Sequence, residues 1–134
     1  RIGKGLVLRE GDTVCLISTG NILPNVIATA ELLNAQGISC RVISMHTVKP
    51  LDLEMLGDAF ERFKVVATVE EHGLVGGLGG AVAEWLVDRG GARARLVRFG
   101  TRDEFLHLAG NQSFARKHFG LVPDAMAARI RDLL

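Results

Sequence analysis

Charge of neither sign dominates this chain: 16 Lys and Arg stand against 15 Asp and Glu, a formal net charge of +1. No basic block or stripe is present, which argues against a nucleic-acid partner. No apolar run approaches the roughly 18 residues that a membrane-spanning helix requires, so no membrane partner is expected. Cysteine is scarce, with Cys15 and Cys40 alone. Without a Cys-x-x-Cys or a Cys/His cluster, no zinc site is expected. Both cysteines sit among apolar, strand-forming neighbours and are read as buried, reduced thiols of a cytoplasmic protein. The sequence opens at Arg1 with neither a methionine nor a signal-like apolar region, and the expectation is an excised domain or a subunit of something larger.

Apolar residues and glycine are plentiful. Hydrophobic residues make up 48% of 134 residues, enough for one domain, 1–134, that buries roughly two-thirds of its unfolded surface. Apolar runs predict strands over Gly5–Arg9, Thr13–Ser18, Ser39–Ser44, Val65–Val69 and Arg95–Phe99. Helical periodicity predicts a helix from Thr19-Gly20-Asn21 to about Gln36, with Val26, Ile27, Ala30 and Leu33 inward and Gly37 as its stop. A second helix follows Asp52 as N-cap, with Leu53, Leu56, Phe60 and Phe63 on one face. A third runs from about Gly79 to Asp88, and a last opens at Pro123 with Met126, Ile130, Leu133 and Leu134 on one face.

Strands alternating with helices predict an α/β fold, a mostly parallel sheet with helices on both sides. Only three residues separate the first two strands, too few for a parallel crossover. The first strand is therefore expected to be an antiparallel edge.

Two loops at strand ends carry the least core-like residues. Thr19-Gly20-Asn21 opens a helix N-terminus, whose free N–H groups suit an anion. Glu70-Glu71-His72 leads into Gly73, Gly76, Gly77, Gly79 and Gly80. In an open α/β sheet both loops leave the carboxyl ends of parallel strands, and they are expected to lie side by side there. The adjacent acids must point to opposite sides of a strand end. Val82 stands where a dinucleotide fingerprint has its third glycine, and no phosphate-binding G-x-x-x-x-G-K-[ST] occurs. Close packing of backbone on a neighbouring element is the preferred reading of the glycines, and a structural or interface role the preferred reading of Glu71 and His72 over catalysis. His46, His107 and His118 lack metal-ligand spacing and are read as surface histidines. The Ala81–Asp88 helix is apolar nearly all round, so it is either sandwiched in the core or covered by another chain.

Thr68-Val69-Glu70-Glu71-His72, followed by Gly76-Gly77, Gly79 and Val82-Ala83-Glu84, resembles the signature of the C-terminal domain of the transketolase family of thiamine diphosphate enzymes. Further pieces follow the family's order: Ser18-Thr19-Gly20, Leu33 with Gly37-Ile38, Val42-Ile43-Ser44-Met45, Val48-Lys49-Pro50-Leu51-Asp52, Phe99-Gly100 with Asp103, Phe105 and Gly110, and Phe119-Gly120-Leu121. The pattern is closer to transketolase and deoxyxylulose-phosphate synthase than to the β component of 2-oxo acid dehydrogenases. The resemblance implies a three-layer αβα domain on a five-stranded mixed sheet, following two others that hold thiamine diphosphate and magnesium. The family's Gly-Asp-Gly motif is missing: Gly11-Asp12-Thr13 and Gly57-Asp58-Ala59 lack the second glycine. No catalytic, cofactor-binding or metal residue is therefore assigned.

Two classes of function follow. The first is a non-catalytic domain of a homodimeric transketolase-type enzyme that moves a two-carbon ketol unit between phosphosugars. In that reading Thr19, Gly20, Asn21, Glu71, His72, Gly76, Gly77 and Gly79 are interface or crevice candidates. The same domain of deoxyxylulose-phosphate synthase or of a 2-oxo acid dehydrogenase component stands beside it. The second class is a stand-alone anion- or nucleotide-binding module gripping its ligand between the two loops.

Overall fold

A computed structural model describes residues 3–46, 48–73, 76–101 and 112–134. Its elements are β1 (Leu6–Arg9), β2 (Val14–Ser18), α1 (Leu23–Ala35), β3 (Cys40–Ser44), α2 (Leu53–Arg62), β4 (Val65–Gly73), α3 (Leu78–Asp88), β5 (Arg95–Thr101), α4 (Gln112–His118) and α5 (Pro123–Asp132). A single 3₁₀ turn, Gly20–Ile22, leads into α1. The sheet order is β1-β3-β2-β4-β5. β1 runs antiparallel to β3, and the other pairs are parallel.

The central strands carry apolar residues on both sides, as in Val14–Ile17 of β2 and Val65–Ala67 of β4, because both their faces are covered. Along β2, Val14 and Leu16 face one core, and Cys15 and Ile17 face the other, as the two-residue period of a strand requires. The first core lies under α1 and α5, with Val26, Ala30, Leu33, Met126 and Ile130. The second lies under α2 and α3, with Leu56, Phe60, Leu78 and Val82. Three layers result, α1 and α5 on one side of the sheet and α2 and α3 on the other. Gly11 is required where the β1–β2 turn presses on β3, since a Cβ there would run into the Cys40 backbone.

A side-chain cap fixes the entry of α2. Asp52 accepts from the Met55 N–H at 3.2 Å and from the Gly5 N–H at 3.0 Å, capping α2 and tying down the chain ahead of β1. Thr29, a buried polar residue on the α1 inner face, donates to the Asn25 carbonyl at 2.7 Å. Asn25 in turn donates to the Leu121 carbonyl at 2.9 Å, fastening α1 to the entry of α5.

Three expectations need correction. Glu70, Glu71 and His72 belong to β4 and not to a loop. Pairing with β5 continues past an irregularity between Val69 and Gly73, and tertiary pairing of this kind overrides a polar local composition. Leu53 is 55% exposed and Leu134 49% exposed; each stands at or beyond a helix end, and periodicity cannot tell where the sheet beneath a helix stops. Helix α4 has no counterpart among the predicted elements. It has no apolar stripe, and charged contacts hold it in place, as described next.

Candidate functional site

Strands β2 and β4 are parallel neighbours with Ser18 opposite Val69, so the segments that follow both leave the same edge of the sheet. The Thr19 N–H donates to the Val69 carbonyl at 3.3 Å. Gly20 turns the chain with φ +79, a left-handed conformation that glycine adopts without strain. Asn21 is exposed there. Pro24 in the first turn of α1 lacks an N–H, which leaves that helix entrance with one donor fewer for an anion.

The two adjacent acids take opposite sides of β4, as strand geometry demands. Glu70 is fully buried. Its Oε1 accepts from the Leu78 N–H at 2.7 Å and its Oε2 from the Gly79 N–H at 2.6 Å. The carboxylate thereby caps α3 from another element and meets the positive end of the helix dipole. Glu71, on the other side, takes a fork of bonds from Arg116, Nη2 to Oε1 at 2.8 Å and Nε to Oε2 at 3.0 Å. Gln112 Nε2 adds bonds of 3.1 and 3.2 Å to the same carboxylate. Hydrogen bonding to Glu71 pushes the Arg116 pKa above its usual range, with the Glu71 charge adding to the rise and burial opposing it. Arg116 also donates to the Asn21 carbonyl at 3.3 Å. One guanidinium on α4 thus joins the Thr19–Asn21 turn to the end of β4, and Glu71 meets these partners within its own chain.

The glycines divide by role. Gly79 permits close packing: a Cβ there would stand 2.9 Å from Thr68 Oγ1, 3.1 Å from Glu70 Oε2 and 3.2 Å from Arg98 Cδ. Gly76 turns the chain with φ +81. Gly77 precedes α3 in an extended conformation, φ −95 and ψ −160, which places no demand for glycine on the backbone. The backbone puts His72 on β4; its side chain lies outside the described atoms. On α3, Leu78 and Val82 are buried, Trp85 is half-buried against Phe60 with ring centroids 5.4 Å apart, and Val87 is 76% exposed. The helix is therefore neither sandwiched nor bare: one face is in the core and its far face carries apolar atoms outward.

Sequence reasoning missed Arg116 and Gln112. Both lie more than 40 positions from Glu71, in a helix without periodic apolar residues, and no local signal marks them. His46 and His118 are exposed, His118 edge-on to Phe119 with centroids 4.9 Å apart. His107, Asp103, Phe105 and Gly110 lie outside the described residues. Cys15 and Cys40 are buried and unbridged. Burial pushes their thiols up to about 12 and about 11, so at neutral pH neither is a thiolate nucleophile.

Comparison with known proteins decides the family. The family described as Transketolase, C-terminal domain matches residues 3–126. The chain belongs to the transketolase C-terminal domain family. Over 131 residues it is 37% identical to a putative transketolase C-terminal section of Methanocaldococcus jannaschii, covering 98% of this chain and 40% of that protein. Over 130 residues it is 41% identical to a 1-deoxy-D-xylulose-5-phosphate synthase of Synechocystis sp., covering 96% of this chain and 20% of the synthase. A solved split-gene transketolase, described as an inactive β4 tetramer, superposes with a TM-score of 0.89 at 32% identity over all of this chain and 43% of that one. The chain thus spans less than half the length of these relatives.

The transketolase family consists of thiamine diphosphate enzymes, and the crevice residues of this C-terminal domain do not fit that cofactor. A metal-bound diphosphate needs oxygen donors free to ligate magnesium. Both oxygens of Glu70 are held by backbone N–H groups, and both of Glu71 by Arg116 and Gln112. Among the described residues no three His, Cys, Asp or Glu side chains gather to hold a metal. None of the described helices is long and apolar enough to cross a membrane.

Proposed function

We propose that this chain is a non-catalytic domain of a cytoplasmic transketolase-type enzyme, one that moves a two-carbon ketol unit between phosphosugars. It supports assembly of a homodimer and walls the active-site entrance, while thiamine diphosphate and magnesium sit on other sections or subunits. One observation carries the reading: at the sheet's carboxyl edge, where an α/β enzyme keeps its chemistry, both carboxylates of β4 are engaged in holding the domain together. The partial span of the relatives, and the description of one structural neighbour as an inactive β4 tetramer, agree with a part that needs partners.

The chain alone is expected to show no ketol transfer and no saturable binding of thiamine diphosphate with magnesium by calorimetry; binding near micromolar would overturn the proposal. Co-production with the cofactor-binding section of its enzyme is expected to yield activity. Synthases of deoxyxylulose phosphate match at similar identity, so the assembled enzyme is assayed for both products, and formation of deoxyxylulose phosphate would select the second family member.

The contact surface in this reading comprises Glu71, His72, Gly76, Gly77 and the outer face of α3, while Gly79, buried against Thr68 and Glu70, drops out of it. His72→Ala and Gly77→Val are expected to raise the dimer dissociation constant of the assembled enzyme about tenfold. Neither should lower the domain's own stability by more than about 1 kcal/mol, the cost of a poor N-cap. Unchanged dimerisation with a several-degree fall in the domain's melting point would make this turn core architecture.

A further inference from the structure

A groove of about 720 Å³ runs beside β5, lined by residues 96–100, by Ala83 of α3 on one side and by Lys117 and Arg129 on the other. Val97 and Phe99 belong to the core beneath α1 and α5, whereas Leu96 packs on the opposite core and the Arg98 stem lies against Gly79. Residues facing opposite layers line one groove only if it follows the strand's edge, where the backbone N–H and C=O groups lie. β5 stands at the end of the sheet and pairs with β4 alone among the described strands. An open row of donors and acceptors of this kind is a template for another strand.

The charge of the groove selects the occupant. Arg98, Lys117 and Arg129 line it; among the described residues no carboxylate lines it and none of the three makes an ion pair. A second copy of β5 would bring its own Arg95 and Arg98 to the same edge, and like charges across a strand pair are unfavourable. We propose that the β5 edge is a docking slot for an extended acidic segment of another polypeptide, which adds as a sixth strand between α3 and α5. Main-chain bonds supply affinity in such strand addition, and alternate side chains supply selectivity. Acidic residues on one face of the segment meet Lys117 and Arg129, while apolar residues on its other face meet Leu96. The inference stands apart from the ketol-transfer reading and survives its failure.

The test uses the 134-residue chain and a fluorescent, end-blocked octapeptide alternating Glu and Val. Two control peptides accompany it: one with Lys for Glu, and one with alternate backbone nitrogens methylated so that one edge cannot donate. Fluorescence anisotropy is expected to give at least tenfold weaker binding for each control. Hydrogen exchange is expected to slow at residues 96–100 and not at β1, the other sheet edge. Lys117→Glu with Arg129→Glu, both placed where no described bond depends on them, is expected to lose at least tenfold in affinity with an unchanged circular-dichroism spectrum and melting point. Equal binding of the methylated and unmethylated acidic peptides would reduce the effect to plain charge attraction and overturn the proposal. No binding at millimolar peptide would overturn it, as would protection of residues 96–100 that grows with the concentration of the chain alone.

Discussion

Glu70 and Glu71 are the same residue type one bond apart, and the fold gives them opposite work. Glu70 is fully buried and bonds two backbone N–H groups at the start of α3. Glu71 keeps 26% of its side chain exposed and holds a surface arginine. The alternation of a strand decides which is which. The buried carboxylate is an internal cap whose loss leaves helix donors without water or partner. The half-buried one is a clasp whose loss leaves groups that water reaches.

If that contrast is right, Glu70→Ala has the largest effect of any change at this edge. Two buried N–H groups lose a charged acceptor, and the expected cost is about 3 kcal/mol, or about 10 °C in melting point for a domain of this size. Chemical denaturation measures it, with hydrogen exchange fastest at the start of α3. A loss below about 1 kcal/mol would place Glu70 on the same footing as its neighbour and break the comparison.

Gly79→Ala tests the same contact from the helix side. The new methyl would stand 2.9 Å from Thr68 Oγ1 and 3.1 Å from Glu70 Oε2, so either the cap or β5 must yield. About 1–3 kcal/mol of destabilisation is expected. Gly76 provides the control, because no atom of the described residues lies within 4 Å of its Cβ position and its positive φ is what resists substitution. Gly76→Asn, which tolerates that conformation, is expected to cost less than Gly79→Ala in the same denaturation series.

Arg116→Ala has the smallest expected effect on stability, about 1 kcal/mol, since both partners reach solvent and gain little over hydration. Its consequence is local: hydrogen exchange should quicken in α4 and leave α3 unchanged. A double-mutant cycle with Glu71→Ala isolates the pair, and the coupling is expected to shrink at 1 M salt, where screening acts over about 3 Å. A coupling above about 3 kcal/mol, insensitive to salt, would show the clasp to be as buried as the cap.

Much of this edge was legible before any coordinates. Parallel strands at Thr13–Ser18 and Val65–Val69 had to send their following segments to one edge, and Arg116 now bridges the two. Opposite orientation of Glu70 and Glu71 followed from the two-residue period alone. Asp52 announced itself as a cap because its partner, Met55, lies three residues on. Arg116, Gln112 and the whole of α4 were invisible, because a helix tied to a distant strand by one ion pair and an amide carries no apolar rhythm.

The order of local residues therefore determined what local physics can read: which runs are strands, where helices start and stop, and that β1, four residues from β2, had to be antiparallel. Tertiary structure alone decided the rest. It chose Glu70 over Glu71 for the buried side, because only the placement of α3 says which face of β4 is closed to water. It carried β4 through three polar residues, because β5 was there to pair with. Contacts between residues far apart in the chain depend on how layers stack, and no window of sequence contains both partners.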